Sequence, residues 1–125
     1  MRILILEDRP SDADLMEFEL REAGLDFTAK RATNEQGFLQ EMEAFTPDLI
    51  LSDYDLPQYN GALAFTEAKK RLPGVPFILV TGCLDEDGSL RRKILADGAS
   101  DFVMKDRLDR LAAAVHKAIE KGNGS

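Results

Sequence analysis

The chain has little sulfur chemistry to offer: a single cysteine, Cys83, in 125 residues, and a single histidine, His116. One thiol cannot close an internal disulfide or build a multi-cysteine zinc site, so a reducing interior is expected, the cytoplasm by default. Long hydrophobic runs are also missing. None approaches the roughly 20 residues of a membrane span, and the N-terminus enters a short apolar segment without the basic region and cleavage site of a secretion signal. A membrane association is therefore not expected. Positive charge is scarce too, with 16 Lys and Arg against 23 Asp and Glu and a net charge of -7. Such a chain repels nucleic acid phosphates, which argues against direct DNA or RNA binding and favours a basic partner surface.

What the chain does have is enough apolar residues, 44%, for one ordinary domain with a real core and too few residues for two. Residues 1–121 are expected to form that domain. Residues 122–125, from Gly122 to Ser125, have the composition of a tail or linker.

Four short apolar runs recur between helical patterns: Ile3-Leu4-Ile5-Leu6, Leu49-Ile50-Leu51, Phe77-Ile78-Leu79-Val80 and Phe102-Val103-Met104. Unbroken apolar strands suit a parallel sheet covered on both faces. A fifth candidate, Phe27 to Ala32, alternates with polar residues and suits an edge. Helical spacing separates them, as in Phe38, Leu39, Met42 and Phe45, or Leu108, Leu111, Val115 and Ile119. Ser11 and Asp14 have capping-box spacing, Gly24 suits the end of the first helix, and Pro73-Gly74 and Gly98 stop the third and fourth. Asp85, Glu86 and Asp87 open the fourth helix ahead of Arg91, Arg92 and Lys93, the order the helix dipole favours. Five β-α units with right-handed crossovers predict an α/β fold, a doubly wound five-stranded parallel sheet in the order 2-1-3-4-5, a flavodoxin-like three-layer sandwich.

In that order the chain reverses direction between strands 1 and 3, and ligands bind beyond the carboxyl ends of the strands at such a reversal. Strand 1 runs out into Glu7-Asp8, strand 3 into Asp53, strand 4 into Thr81 and strand 5 into Lys105. Crowded carboxylates repel, so either one keeps a proton or a cation joins them. An all-oxygen set without His or Cys matches Mg2+ better than zinc. Asp53 then offers a carboxylate nucleophile for an acyl phosphate, Lys105 a point charge and Thr81 a hydroxyl for phosphoryl oxygens. Taken singly, each residue also has a structural explanation as a helix cap, a paired lysine or an ordinary strand-end threonine.

At these residues, and across residues 2 to 121, the sequence resembles the receiver domains of response regulators in two-component signalling, of the chemotaxis-regulator type. Glu7-Asp8 is similar to the family's acidic pair, Asp53 in Leu-Ile-Leu-Ser-Asp-Tyr-Asp-Leu-Pro to its phosphoacceptor, and Thr81 and Lys105 to its switch residues. Pro57, Gly61 and the stretch Asp97 to Phe102 fit its loops. The resemblance implies Mg2+ held by Asp8, Asp53 and the Asp55 backbone carbonyl, with Glu7 acting through water. It implies a phosphorelay function, in which Asp53 is phosphorylated by a sensor histidine kinase or a histidine phosphotransfer protein. Thr81 and Phe102 would then move together, and the face of helix 4, strand 5 and helix 5 would carry output or a homodimer. No enzyme activity is implied beyond self-catalysed phosphoryl transfer and autodephosphorylation.

Two positions depart from the family pattern. Asp106 stands where proline usually follows the lysine, so a trans Lys105–Asp106 bond is expected, with Asp106 free to cap the last helix. Gly82 replaces the usual alanine after Thr81, which would loosen the loop. Asp55 and Cys83 occupy positions that flank the phosphoryl group in the family, and nothing nearby argues for a redox role of Cys83. His116 is expected to be a solvated or interface residue. Other classes fit less well. Asp53-Tyr54-Asp55 also resembles the nucleophile motif of aspartate-dependent phosphohydrolases, but follows strand 3 instead of strand 1. Flavin binding would share the fold, yet the loop Glu7 to Ser11 lacks a phosphate cradle. A docking or dimerisation module independent of phosphorylation is the remaining alternative.

Overall fold

The structure, a computed structural model, describes residues 1–82 and 88–124; within these the side chains of Asp55, Leu90 and residues 121–124 fall outside the description. Its elements are β1 (Arg2–Leu6), α1 (Pro10–Glu22), β2 (Thr28–Ala32), α2 (Glu35–Ala44), β3 (Leu49–Ser52), β4 (Asp55–Leu56), β5 (Tyr59–Asn60), α3 (Gly61–Arg71), β6 (Phe77–Thr81), α4 (Ser89–Ala96), β7 (Asp101–Met104), a 3-10 turn (Lys105–Arg110) and α5 (Leu111–Gly124). Five parallel strands pair in the order β2-β1-β3-β6-β7, while β4 and β5 form a separate antiparallel hairpin. Setting that hairpin aside, the order is the expected 2-1-3-4-5. Edge strand β2 is the most exposed of the five, with only Ala32 buried.

Alternation along each strand divides the core in two, because successive side chains point to opposite faces of a sheet. Leu4, Leu6, Ile50, Phe77, Leu79 and Phe102 pack beneath α2, α3 and α4. Ile3, Ile5, Leu49, Leu51, Ile78, Val80 and Val103 pack beneath α1 and α5. The central strands β1, β3 and β6 are thus apolar on both faces, which is why they appear as unbroken runs.

Helix boundaries correct two local expectations. Helix α1 begins at Pro10, with Arg9 at the N-cap and no side-chain cap, so Ser11 lies inside the first turn and forms no capping box. Proline at the first helical position is preorganised and has no N–H to orphan, and here it prevails over the serine signal. Asp106 does not cap α5, because the chain first makes the 3-10 turn from Lys105 and α5 starts at Leu111. Helix α5 also takes in Gly122 and Gly124. The expected acidic start of the fourth helix, Asp85 to Asp87, lies outside the described residues, as does Cys83. Other punctuation is as expected: Gly24, at a φ of 85°, closes α1, with its N–H donating to Arg21 O. Asn34 and Asn60 cap α2 and α3, each accepting from a backbone N–H three residues on at 2.9 Å. No described peptide bond is cis.

Two features hold the segment after β3 against the sheet. Pro57 and Gln58, the latter at a φ of 62°, turn β4 back into β5, the backbone of a type II turn. Gly61 then passes so close that an added Cβ would meet Leu79 Cδ1 at 2.6 Å and Tyr54 Cα at 2.9 Å. Its N–H donates to Tyr54 O at 2.8 Å. Gly61→Ala is therefore expected to lower stability in urea unfolding by about 1–3 kcal/mol. Gly74→Ala, where a Cβ meets nothing within 4 Å, should stay within about 0.5 kcal/mol.

In this hairpin Tyr59 is buried against Phe38, and its hydroxyl has no hydrogen-bond partner among the described residues. Burial, aided by the charges of Glu35 and Glu67, pushes its pKa up to about 12. The folded state thus favours the neutral hydroxyl. That contribution is present below pH 10 and is lost as pH rises towards about 12. Tyr59→Phe should flatten this alkaline loss and keep or slightly raise stability at pH 7, measured by urea midpoints across pH.

Candidate functional site

The carboxyl ends of β1, β3 and β7 meet at the reversal of strand order, and each delivers charge there. Hydrogen bonds fix the approach: Glu7 N–H donates to Ala32 O at 3.0 Å, and Asp53 N–H to Leu6 O at 2.9 Å. The second bond ties the residue after β3 directly to the end of β1. Ser52 Oγ donates to Asp53 O at 2.9 Å. As a result one carboxylate oxygen from each of Glu7, Asp8 and Asp53 lies within 4.8 Å of the others. The expected acidic trio is brought together.

Lys105, just past β7, enters the same space. Its Nζ lies 2.8 Å from Glu7 Oε2, 3.3 Å from Asp53 Oδ2 and 2.7 Å from Asp12 Oδ2. Glu7 and Asp53 are 2% and 4% exposed, so their charges cannot lean on water and need a counter-charge at hand. Burial raises the Glu7 pKa, and the charge of Asp53 adds to it, against the opposing contacts with Lys105 and the Arg9 amide. Burial works the other way on Lys105. Close contact with Asp12 and Glu7, with the charges of Asp53 and Glu7, outweighs it and holds the ammonium well above the ordinary lysine value.

Asp12, from the first turn of α1, escaped the sequence reading. A helix-start acid is ordinarily explained by the dipole, and only the packing of α1 under the 3-10 turn shows that it faces Lys105. Thr81 is fully buried at the end of β6 and pairs in register with Met104, next to Lys105. Phe102 is buried in the core beneath α4, with the Arg91 guanidinium 5.9 Å from its ring centre. Asp55 opens β4, two residues past Asp53. At Gly82 an added Cβ would make only an ordinary contact, 3.9 Å to Lys105 Cδ, so the loop has room for the family's alanine. His116 is exposed on α5.

The donor set suits a hard divalent cation. Three carboxylates converge, and Glu7 Oε2 is buried without a well-angled hydrogen bond despite its ion pair with Lys105. A second surface departs from what the net charge suggests: a groove of about 320 Å³ along β7 and α5 is lined by Arg91, Arg107, Arg110 and Lys117 and one acid, Asp101. A chain of net negative charge thus presents a locally basic groove there.

Acids and a lysine thus gather at the switch point of a doubly wound sheet. The response regulator receiver domain model matches residues 3–116, and the chain belongs to that family. It is 32% identical over 116 residues to the DNA-binding transcriptional regulator NtrC of Klebsiella pneumoniae, covering 92% of this chain and 24% of that protein. It is 29% identical over 114 residues to a protein-glutamate methylesterase/protein-glutamine glutaminase of Maricaulis maris, covering 90% of this chain and 28% of that one. The chain thus spans about a quarter of the length of these relatives. Among solved structures, a CheY-like receiver domain protein of Methanospirillum hungatei superposes with a TM-score of 0.80 at 27% identity, covering 98% of this chain and 96% of that one. The response regulator TrrA of Thermotoga maritima, solved in complex with Mg(2+)-BeF, superposes with a TM-score of 0.78 at 26% identity, covering 94% and 97%. Among the described residues no helix is long and apolar enough to cross a membrane.

Because Lys105 is the counter-charge for buried acids, Lys105→Met should destabilise the fold by about 1–3 kcal/mol at pH 7 in a chelated buffer. Millimolar divalent cation should recover part of the loss, read as a rise in the thermal midpoint. Recovery should disappear when Asp8→Asn is added.

Proposed function

We propose that this receiver domain is a phosphoacceptor of a two-component phosphorelay, with Asp53 as the residue that takes the phosphoryl group. The observation that carries this reading is the convergence of Glu7, Asp8 and Asp53 within 4.8 Å, with Lys105 Nζ 3.3 Å from Asp53 Oδ2. The cofactor would be magnesium, which Asp8, Asp53 and the Asp55 backbone carbonyl would hold, with Glu7 acting through water. When bound, it supplies positive charge that offsets the phosphoryl oxygens in a crowded acidic site. The Mg(2+)-BeF complex of TrrA supports this assignment.

The donor is a phosphohistidine on a sensor histidine kinase or a phosphotransfer protein. An Asp53 carboxylate oxygen attacks the phosphorus, the P–N bond breaks, and its electron pair leaves on the imidazole nitrogen. Lys105 takes one phosphoryl oxygen as a point charge and Thr81 donates its hydroxyl to another. Attack by water on phosphorus later restores the Asp53 carboxylate, so the domain resets itself without acting as an enzyme on other substrates. Thr81 moving towards the phosphoryl group would favour the buried Phe102 rotamer, and the face of α4, β7 and α5 would carry the change outward. That face, basic along its groove, is the surface for an output partner or a homodimer. We place this activity in the cytoplasm and the receiver unit at residues 1–121, with 122–125 as tail or linker.

Incubation with magnesium and acetyl phosphate, followed by intact mass, should show one added phosphoryl group per chain. The group should be absent after Asp53→Asn or with a chelator. Steady release of phosphate from phosphomonoesters, with no retained group, would instead favour a phosphohydrolase.

A further inference from the structure

Asp12 has no part in the phosphoryl chemistry just described, yet it makes the shortest carboxylate contact to Lys105. The distances are 2.7 Å to Asp12, 2.8 Å to Glu7 and 3.3 Å to Asp53. The Asp12 and Asp53 contacts both have the geometry of a hydrogen bond donated by Nζ, the Asp12 one being the shorter. Asp12 comes from α1 and lies outside the oxygen group of Glu7, Asp8 and Asp53. An ammonium has three N–H donors, and here three carboxylates crowd around them. A phosphoryl oxygen gains one of these donors only by displacing a carboxylate.

We propose that Asp12 is a positioning residue that competes with the phosphoryl group for Lys105, and so sets how tightly that group is held at Asp53. The proposal rests on the reading of Asp53 as phosphoacceptor. Glu7 and Asp53 belong to the oxygen set that suits a cation, so their claim on Lys105 weakens once a cation is present. Asp12 keeps its claim. Its side chain is 23% exposed, whereas that of Glu7 is fully buried. Removing its charge while keeping its shape frees Lys105, because a hydrogen bond to a carboxylate is about twice as strong as one to a neutral amide.

The test measures binding of beryllium fluoride, with magnesium, by 19F NMR titration. Asp12→Asn should bind about threefold to tenfold more tightly than the native chain. In a Lys105→Met background the same substitution should change nothing, and Asp14→Asn, which removes a charge from the same helix at a residue paired with Arg31, should also change nothing. Asp12→Ser serves if the asparagine variant does not fold. Unchanged or weaker binding overturns the proposal, as does equal tightening in the Lys105→Met background, which would mean a general charge effect. In both cases binding by the native chain leaves the phosphoacceptor reading standing. Failure of the native chain to bind the mimic at all would remove that reading, and the role of Asp12 with it.

Discussion

One ammonium group among buried carboxylates is the constraint around which this domain is arranged. Glu7 and Asp53 are almost out of reach of water, and burying like charges side by side is unfavourable unless a cation joins them. Lys105 meets that need in part. It contacts three acids from three different elements, the end of β1, the start of α1 and the end of β3. The site is held together while leaving room for a further positive charge, and an oxygen of Glu7 without a good hydrogen bond marks where satisfaction is incomplete.

The sheet makes that arrangement possible and keeps it rigid. Because β1 and β3 are neighbours and parallel, their carboxyl ends finish together, and the backbone bond from Asp53 to Leu6 fixes the offset between them. Beneath the site, both faces of the central strands are packed with aliphatic side chains. Close packing of that kind resists small adjustments. Gly61 does the same for the segment after Asp53, since any side chain there would collide with Tyr54 and Leu79.

Most of the fold was legible in the sequence because its signals are long and redundant. Unbroken apolar runs identified β1, β3, β6 and the edge strand β7, the run interspersed with polar residues identified the other edge, β2, and helical spacing filled the gaps; the doubly wound order followed from handedness. The residues at strand ends were legible for the same reason, since topology alone sends Glu7, Asp8, Asp53, Thr81 and Lys105 to one rim. Shorter features were hidden. The hairpin of β4 and β5 has two residues per strand, too few for a period to register. Ser11 and Asp106 carried capping signals that Pro10 and the 3-10 turn overrode. Asp12 was invisible as a site residue because its partner lies 93 positions away. Net charge misled about the α5 groove, where four cations gather in a chain of net charge -7. A sum over the sequence says nothing about where charges sit.

The account stands or falls on whether Asp8 and Asp53 share a single cation. Diffraction from crystals soaked in manganese, at a wavelength where that metal scatters anomalously, addresses this directly. One anomalous peak between the carboxylates of Asp8 and Asp53 is the predicted result. No peak there, with manganese found only on other surface acids, would contradict it.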